Sequence, residues 1–300
     1  MENALRTVAV VILAAGCGAG VLGYTGNGVL LEPLEQRLLF SPRPVDKEWL
    51  HSLVSSQRGV EEVEIRTPDG VTLHGWLKRP NVQRPGKRYP LVIVYGGVRR
   101  EISEFVRQSD AGEWGWLMVN YRGFGLSGGS PSERHVVEDA KQIYDWAAAR
   151  ADVDRQNIVV LGRSLGTYVA VAVAAARQAR ALILATPFDS FVALGEKRFP
   201  DLPVDWLLGG RYDSAALAPR VLAPALFVLA EKDDVTPAEN GRALARQWGG
   251  ATKTVLLSGA SHFGIERRDD FWRSVRDYLR ALPPTASSAR ESSRSRSSGR

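Results

Sequence analysis

Three hundred residues, 44% of them hydrophobic and 24% charged, suffice for the core of one large α/β domain and exclude a chain that is disordered throughout. The net charge of +6 would suit a nucleic-acid partner, but +3 of it comes from four arginines and one glutamate within residues 283–300, PPTASSARESSRSRSSGR. A single cysteine excludes an intrachain disulfide.

The chain opens with a stretch from Thr7 to Leu31 that carries no charged residue, with VAVVILAA at 8–15 its most apolar part. Three addresses fit it: a single-pass membrane anchor, a bacterial lipoprotein signal with Leu13-Ala14-Ala15-Gly16 before Cys17, or a cleaved signal peptide. Each places the protein at a membrane or beyond it, and the first two tether it there. Gly18-Ala19-Gly20-Val21-Leu22-Gly23 matches the dinucleotide pattern G-x-G-x-x-G, but YTGNG follows where a helix is required. That match is accidental, and no cofactor is expected from it.

Residues 1–45 therefore read as anchor or signal plus a short amphipathic connector ending at Pro42 and Pro44. The alternation in VEEVEIRTPDGVTLHGWLKRP, about Pro68-Asp69-Gly70, predicts a β-hairpin. Next come LVIVY (91–95), WLMVN (116–120), IVVLG (158–162), ALILA (181–185), ALFVLA (225–230) and KTVLL (253–257), short apolar runs that read as buried strands. Helical stretches near 133–150, 238–248 and 266–281 alternate with them. The pattern predicts a mostly parallel central sheet covered by helices on both faces, within a domain spanning 46–282. Residues 186–224 leave this rhythm and read as a small helical cap between strands 6 and 7, and residues 283–300 as a disordered Ser/Arg-rich tail.

Gly162-Arg163-Ser164-Leu165-Gly166 stands between an apolar strand and the Ala/Val-rich run 167–176. A G-x-S-x-G turn of this kind exposes a strained serine, because any Cβ at the glycines would collide with the flanking strand and helix. The following helix aims its N-terminal N–H groups at the same spot. A serine hydroxyl needs a base and the base an acid. His51 falls in the connector, His74 in the hairpin and His135 at a helix start, where a polar cap explains it. His262, in LSGASHFG beyond the last strand, is the candidate base. The acid should precede it beyond another strand end, where EKDDVTP offers Asp233 or Asp234. The oxyanion donors are expected to be the backbone N–H groups of Leu165 and of Gly97, in the Gly96-Gly97-Val98 loop. One such donor stabilises a transition state by about 3 kcal/mol.

Together these motifs resemble the α/β-hydrolase superfamily and, within it, the Bem46-like membrane-anchored serine hydrolases. The likeness rests on QRLLFSP, NYRGFGLSGGSPSE, LGRSLG, TPFDSF, FPDLPVDWLLGGRYDS, EKDDVTP and GASHFG, which span most of residues 36–265. It implies an α/β-hydrolase fold, a membrane anchor, esterase-like or thioesterase-like chemistry, and neither metal nor organic cofactor. Aligned on Pro237, it makes Asp233 the acid. Two departures stand out: Tyr95-Gly96 and Leu229-Ala230 occupy places where the family usually carries His-Gly or a similar pair. Tyr95 is therefore expected at the pocket, with Phe188, Phe191, Phe199 and Trp206 of the cap lining an apolar acyl site. The same cap aromatics would equally pack cap against body. The expected substrate is a small-molecule or lipid-like acyl ester, with the membrane as partner through the N-terminus and no nucleic acid. The alternatives are a peptidase of the prolyl-oligopeptidase type and a catalytically silent scaffold with the hydrolase fold.

Overall fold

The computed structural model describes residues 40, 45–82, 86–98, 101–109, 112–198, 200–201 and 212–283. The eight strands are β1 (Val60–Arg66), β2 (Thr72–Lys78), β3 (Tyr89–Tyr95), β4 (Gly115–Val119), β5 (Val153–Arg163), β6 (Ala181–Ala185), β7 (Ala225–Lys232) and β8 (Thr252–Ser261). They form one sheet in the order β1-β2-β4-β3-β5-β6-β7-β8. The hairpin β1–β2 is antiparallel, β2 meets β4 antiparallel, and every pair from β4 to β8 is parallel. Strand order reverses about β3, so the crevice between the carboxyl ends of β3 and β5 is where such a sheet receives a ligand.

The unbroken apolar runs follow from burial on both faces. Alternate residues of each strand serve different cores: Leu91, Ile93 and Tyr95 of β3 join one, Val92 and Val94 the other. The first core is completed by α3 (Glu133–Ala149), through Val136 and Ile143, and by α4 (Leu165–Ala176), through Val169 and Val173. The second is closed by α8 (Asp269–Ala281), through Phe271, Val275 and Leu279, and by Leu50 of α1 (Lys47–Ser55).

Two short helices were not legible in the sequence. The first, α1, starts where the Asp46 carboxylate accepts the Glu48 N–H at 2.9 Å, a side-chain cap that replaces long periodicity. The second, α2 (Glu104–Gln108), lies at the buried Lys78 ammonium, which donates to the Val106 and Ser109 carbonyls at 2.9 and 2.8 Å. Strand β5 also begins five residues before the expected run, because Val153 pairs with Tyr89 ahead of a register shift. At the start of α3 the cap is the Ser132 hydroxyl, which accepts the His135 N–H, so His135 is not itself the cap.

Between β6 and β7 lie α5 (Phe191–Arg198) and α6 (Ser214–Leu217), and α7 (Ala238–Arg246) follows β7. No helix among the described residues is long and apolar enough to cross a membrane. The expected anchor, most of the connector, and the tail from residue 284 onward lie outside those residues.

Candidate active site

Ser164 occupies the turn between β5 and α4 with φ 54° and ψ −121°, a left-handed conformation costly for a residue with a side chain. The flanking glycines make the turn possible. A Cβ on Gly162 would lie 2.2 Å from the Gly166 carbonyl oxygen, and one on Gly166 would lie 2.0 Å from that of Tyr95. Strand, turn and helix therefore touch backbone to backbone. The Ser164 N–H donates to the Ala185 carbonyl at 3.0 Å, which ties the turn to β6.

His262 is the first residue beyond β8, and its Nε2 lies 3.0 Å from Ser164 Oγ. Its Nδ1 lies 3.0 and 2.9 Å from the two Asp233 oxygens. A carboxylate only accepts, so Nδ1 carries the hydrogen and Nε2 is left as acceptor toward the serine hydroxyl. The Asp233 carboxyl is fully buried, just past β7, and also accepts the N–H groups of Val235 and Thr236 at 3.0 and 2.7 Å. Asp234 is exposed, so of the two candidates Asp233 alone meets the imidazole. Ser164, Asp233 and His262, far apart in the chain, thus form one continuous relay.

The sequence reading missed Thr236. Its hydroxyl lies 3.1 Å from Asp233 Oδ2, from the Thr186 carbonyl and from His262 Nδ1, bracing the carboxylate against β6's end. The spacing Asp-x-x-Thr, an acidic residue capping a turn through a hydroxyl three residues on, was the available signal.

Leu165 is the first residue of α4, so its N–H is one of those a helix leaves without an internal partner. Gly97 lies against the turn: a Cβ there would stand 3.5 Å from Ser164 Cβ. The loop carrying it is braced by Tyr121, whose hydroxyl donates to the Gly96 carbonyl at 3.0 Å, and by Asn120, whose Oδ1 accepts the Ile102 N–H at 2.9 Å. Both belong to the NYRG stretch after β4. Its next member, Arg122, binds Asp139 of α3 through Nε and Nη2 at 2.6 and 2.7 Å. Burial pushes the Asp139 carboxyl upward, while the Arg122 guanidinium pulls against it.

The expected pocket residues divide differently. Tyr95 does not line the site: its ring is buried in the core and its hydroxyl donates to the Ala140 carbonyl of α3 at 2.9 Å. Burial holds that phenol far above its usual range. The cause is strand parity, since Tyr95 shares the face of Leu91 and Ile93. Phe188 is likewise fully buried, 4.7 Å from the Phe191 ring, which in turn meets Tyr212 at 4.9 Å; Tyr212 meets Tyr168 of α4 at 5.4 Å. These aromatics pack the segment after β6 against the body. Phe199 and Trp206 lie outside the described residues.

What borders the triad is of two kinds. Phe263, 51% exposed, packs edge-on against His262, and Val235, 44% exposed, follows Asp233; both present apolar surface to solvent. On the Gly97 side, a small cleft open to solvent is lined by Glu101, Ile102, Phe105, Arg163 and Glu266. Burial raises the Glu101 carboxyl above its ordinary value. No group of three or more His, Cys, Asp or Glu side chains among the described residues is arranged to hold a metal ion.

Comparison with known proteins places the fold. A family model described as serine aminopeptidase, S33, matches residues 95–199, from the end of β3 past the serine turn. An uncharacterized protein of Mycobacterium tuberculosis is 30% identical over 273 residues, covering 89% of this chain and 91% of its own length. The alpha/beta hydrolase domain-containing protein 17C of Xenopus laevis is 25% identical over 75% of this chain and 72% of its own. Among solved structures, an esterase of Pyrococcus furiosus superposes with a TM-score of 0.62 at 18% identity, over 81% of this chain and 97% of that one. The chain belongs to the α/β-hydrolase superfamily. In this superfamily the serine turn, the acid after a later strand and the histidine after the last one follow in the order observed here.

Proposed function

We propose that this protein is a membrane-tethered, Bem46-like serine hydrolase that cleaves carboxylic esters or thioesters through an acyl-enzyme. The observation that carries the reading is the relay itself: Ser164 Oγ at 3.0 Å from His262 Nε2, and His262 Nδ1 at 2.9 Å from a buried Asp233.

In the first half-reaction Ser164 Oγ bonds to the substrate carbonyl carbon while its proton passes to His262 Nε2. The oxygen that gains charge is stabilised by the N–H groups of Gly97 and Leu165. Collapse of the tetrahedral adduct breaks the bond to the leaving alcohol or thiol, which takes the proton back from the imidazolium. Water repeats the sequence on the acyl-serine and releases the acid. Asp233 holds the imidazole in the tautomer that accepts at Nε2 and stabilises its cation.

The exposed Phe263 and Val235 beside the triad support an apolar acyl group, and the uncharged N-terminal stretch supports delivery at a membrane. A second reading, amide cleavage, is favoured by the serine aminopeptidase description of the matching family model. The test is a substrate panel: p-nitrophenyl esters of increasing chain length, acyl thioesters, and aminoacyl p-nitroanilides, each against the unaltered chain and Ser164→Ala. The proposal expects turnover of esters or thioesters that the variant loses. Turnover of the anilides alone would establish the second reading instead.

A further inference from the structure

Arg163, the variable position inside G-x-S-x-G, takes no part in the chemistry just described, yet it touches three elements of the site. Its Nη2 donates to the His262 carbonyl at 2.7 Å. Its Nε lies 3.5 Å from Glu266 Oε2 in the turn that follows His262, and its guanidinium carbon sits 5.9 Å from the centre of the Phe263 ring. On the other side, a Cβ on Gly97 would be only 3.0 Å from Nη1, so the guanidinium also lies against the oxyanion loop. The pair is enclosed, with Arg163 12% and Glu266 8% exposed.

The geometry points to Arg163 as a positioning residue that sets the distance between Ser164 and His262, with Glu266 holding its guanidinium in place. This inference rests on the hydrolase reading above. The need for such a device follows from topology. β5 is central and paired on both sides, whereas β8 is the sheet's last strand and pairs with β7 alone. His262 leaves that edge on a loop that turns at Gly264 with φ 86°. Asp233 holds the imidazole at Nδ1, whereas Arg163 holds the backbone of the same residue at its carbonyl. Arg163 is bonded through the peptide to Ser164 and through a hydrogen bond to the His262 backbone, so it spans from β5 to the loop past two intervening strands. Lysine cannot supply this: a guanidinium presents several donors in one rigid plane, an ammonium a single centre on a flexible stem. A shift of 1 Å in a reacting group costs roughly 100-fold in rate.

The experiment compares Arg163→Met, Arg163→Lys and Glu266→Gln with the unaltered chain in three ways. These are kcat and KM on a p-nitrophenyl ester, thermal melting, and the ¹⁵N imidazole signals of His262, assigned by their loss in His262→Gln. Arg163→Met is expected to lower kcat about 10- to 100-fold with KM within threefold. It should also move or broaden the His262 signals while those of His51, His74 and His135 stay in place. Arg163→Lys should recover only part of kcat, and Glu266→Gln should lose about three- to tenfold. A kcat for Arg163→Met within threefold of the unaltered chain overturns the proposal, as does a loss that merely follows the unfolded fraction. If Arg163→Met does not fold, Arg163→Lys and Glu266→Gln decide, and unaltered kcat in both overturns it. Should the unaltered protein cleave nothing, the hydrolase reading fails separately, and unmoved His262 signals in the variants would still overturn the role of Arg163.

Discussion

The two ends of the triad are built in different ways. Ser164 sits at the end of a central strand, and its position is set by backbone against backbone: Gly162 on Gly166, Gly166 on Tyr95, and the Ser164 N–H on Ala185. His262 follows an edge strand most of whose residues are exposed, and its position is set by side chains that reach it from elsewhere, Asp233 and Arg163. The geometry of Ser164 is thus inseparable from the fold. The geometry of His262 is a separate set of bonds laid over it, so substitutions there are expected to cost activity more than stability.

This contrast can be broken or sharpened by substitution. The largest effect is expected at the serine turn: Gly166→Ala places a Cβ 2.0 Å from a carbonyl oxygen, and neither backbone can yield. Forced overpacking costs about 3 kcal/mol or more, so denaturant melts should show severe destabilisation or no folded protein. At the other end, Asp233→Asn keeps the shape but offers an amide that can favour the wrong tautomer. A loss of about 10⁴-fold in kcat is expected, with a chemical melt close to that of the unaltered chain. Thr236→Val removes a hydroxyl that braces Asp233. It should cost about 1 kcal/mol in stability and a smaller loss of kcat, on the order of tenfold by the same positioning argument.

The smallest effect concerns acid. Glu231, at the end of β7, accepts the Gly259 N–H at 2.7 Å and the Ser258 hydroxyl at 2.9 Å, and these bonds hold its carboxyl below the ordinary value. A carboxylate with a lowered folded pKa stabilises the fold above its unfolded pKa, about 4.3 for glutamate, and that contribution fades as pH falls through the folded value. The protection factor of the Gly259 amide, taken against its intrinsic exchange rate at each pH, should therefore fall as pH drops below about 4, whereas the Ser164 amide, bonded to a neutral carbonyl, should keep its protection. Equal acid sensitivity at both amides would erase the distinction between centre and edge.

Much of this was legible because the physics is local. β-Branched runs bounded by turn residues gave the parallel strands, and a serine between two glycines gave the elbow. The chain order of acid and base followed from where strands end. What stayed hidden depends on direction or on distance. Tyr95 adjoins the Gly96-Gly97-Val98 loop in sequence, but a strand buried on both faces has no polar alternation to reveal which way each residue points. Phe188 read as pocket because aromatic residues line cavities and fill cores alike, and its full burial selects the core. Arg163 carried no signal, since its partner is the backbone of a residue 99 positions away. The helix at Lys47–Ser55 was missed because one capping aspartate defines it more than its own periodicity does.

The central claim is that Ser164 is an activated nucleophile, and a fluorophosphonate probe followed by peptide mass spectrometry tests it directly. The account predicts one adduct, on Ser164, absent from Ser164→Ala and strongly slowed in His262→Gln. A folded protein that takes no label, or takes it on another residue, would contradict the account.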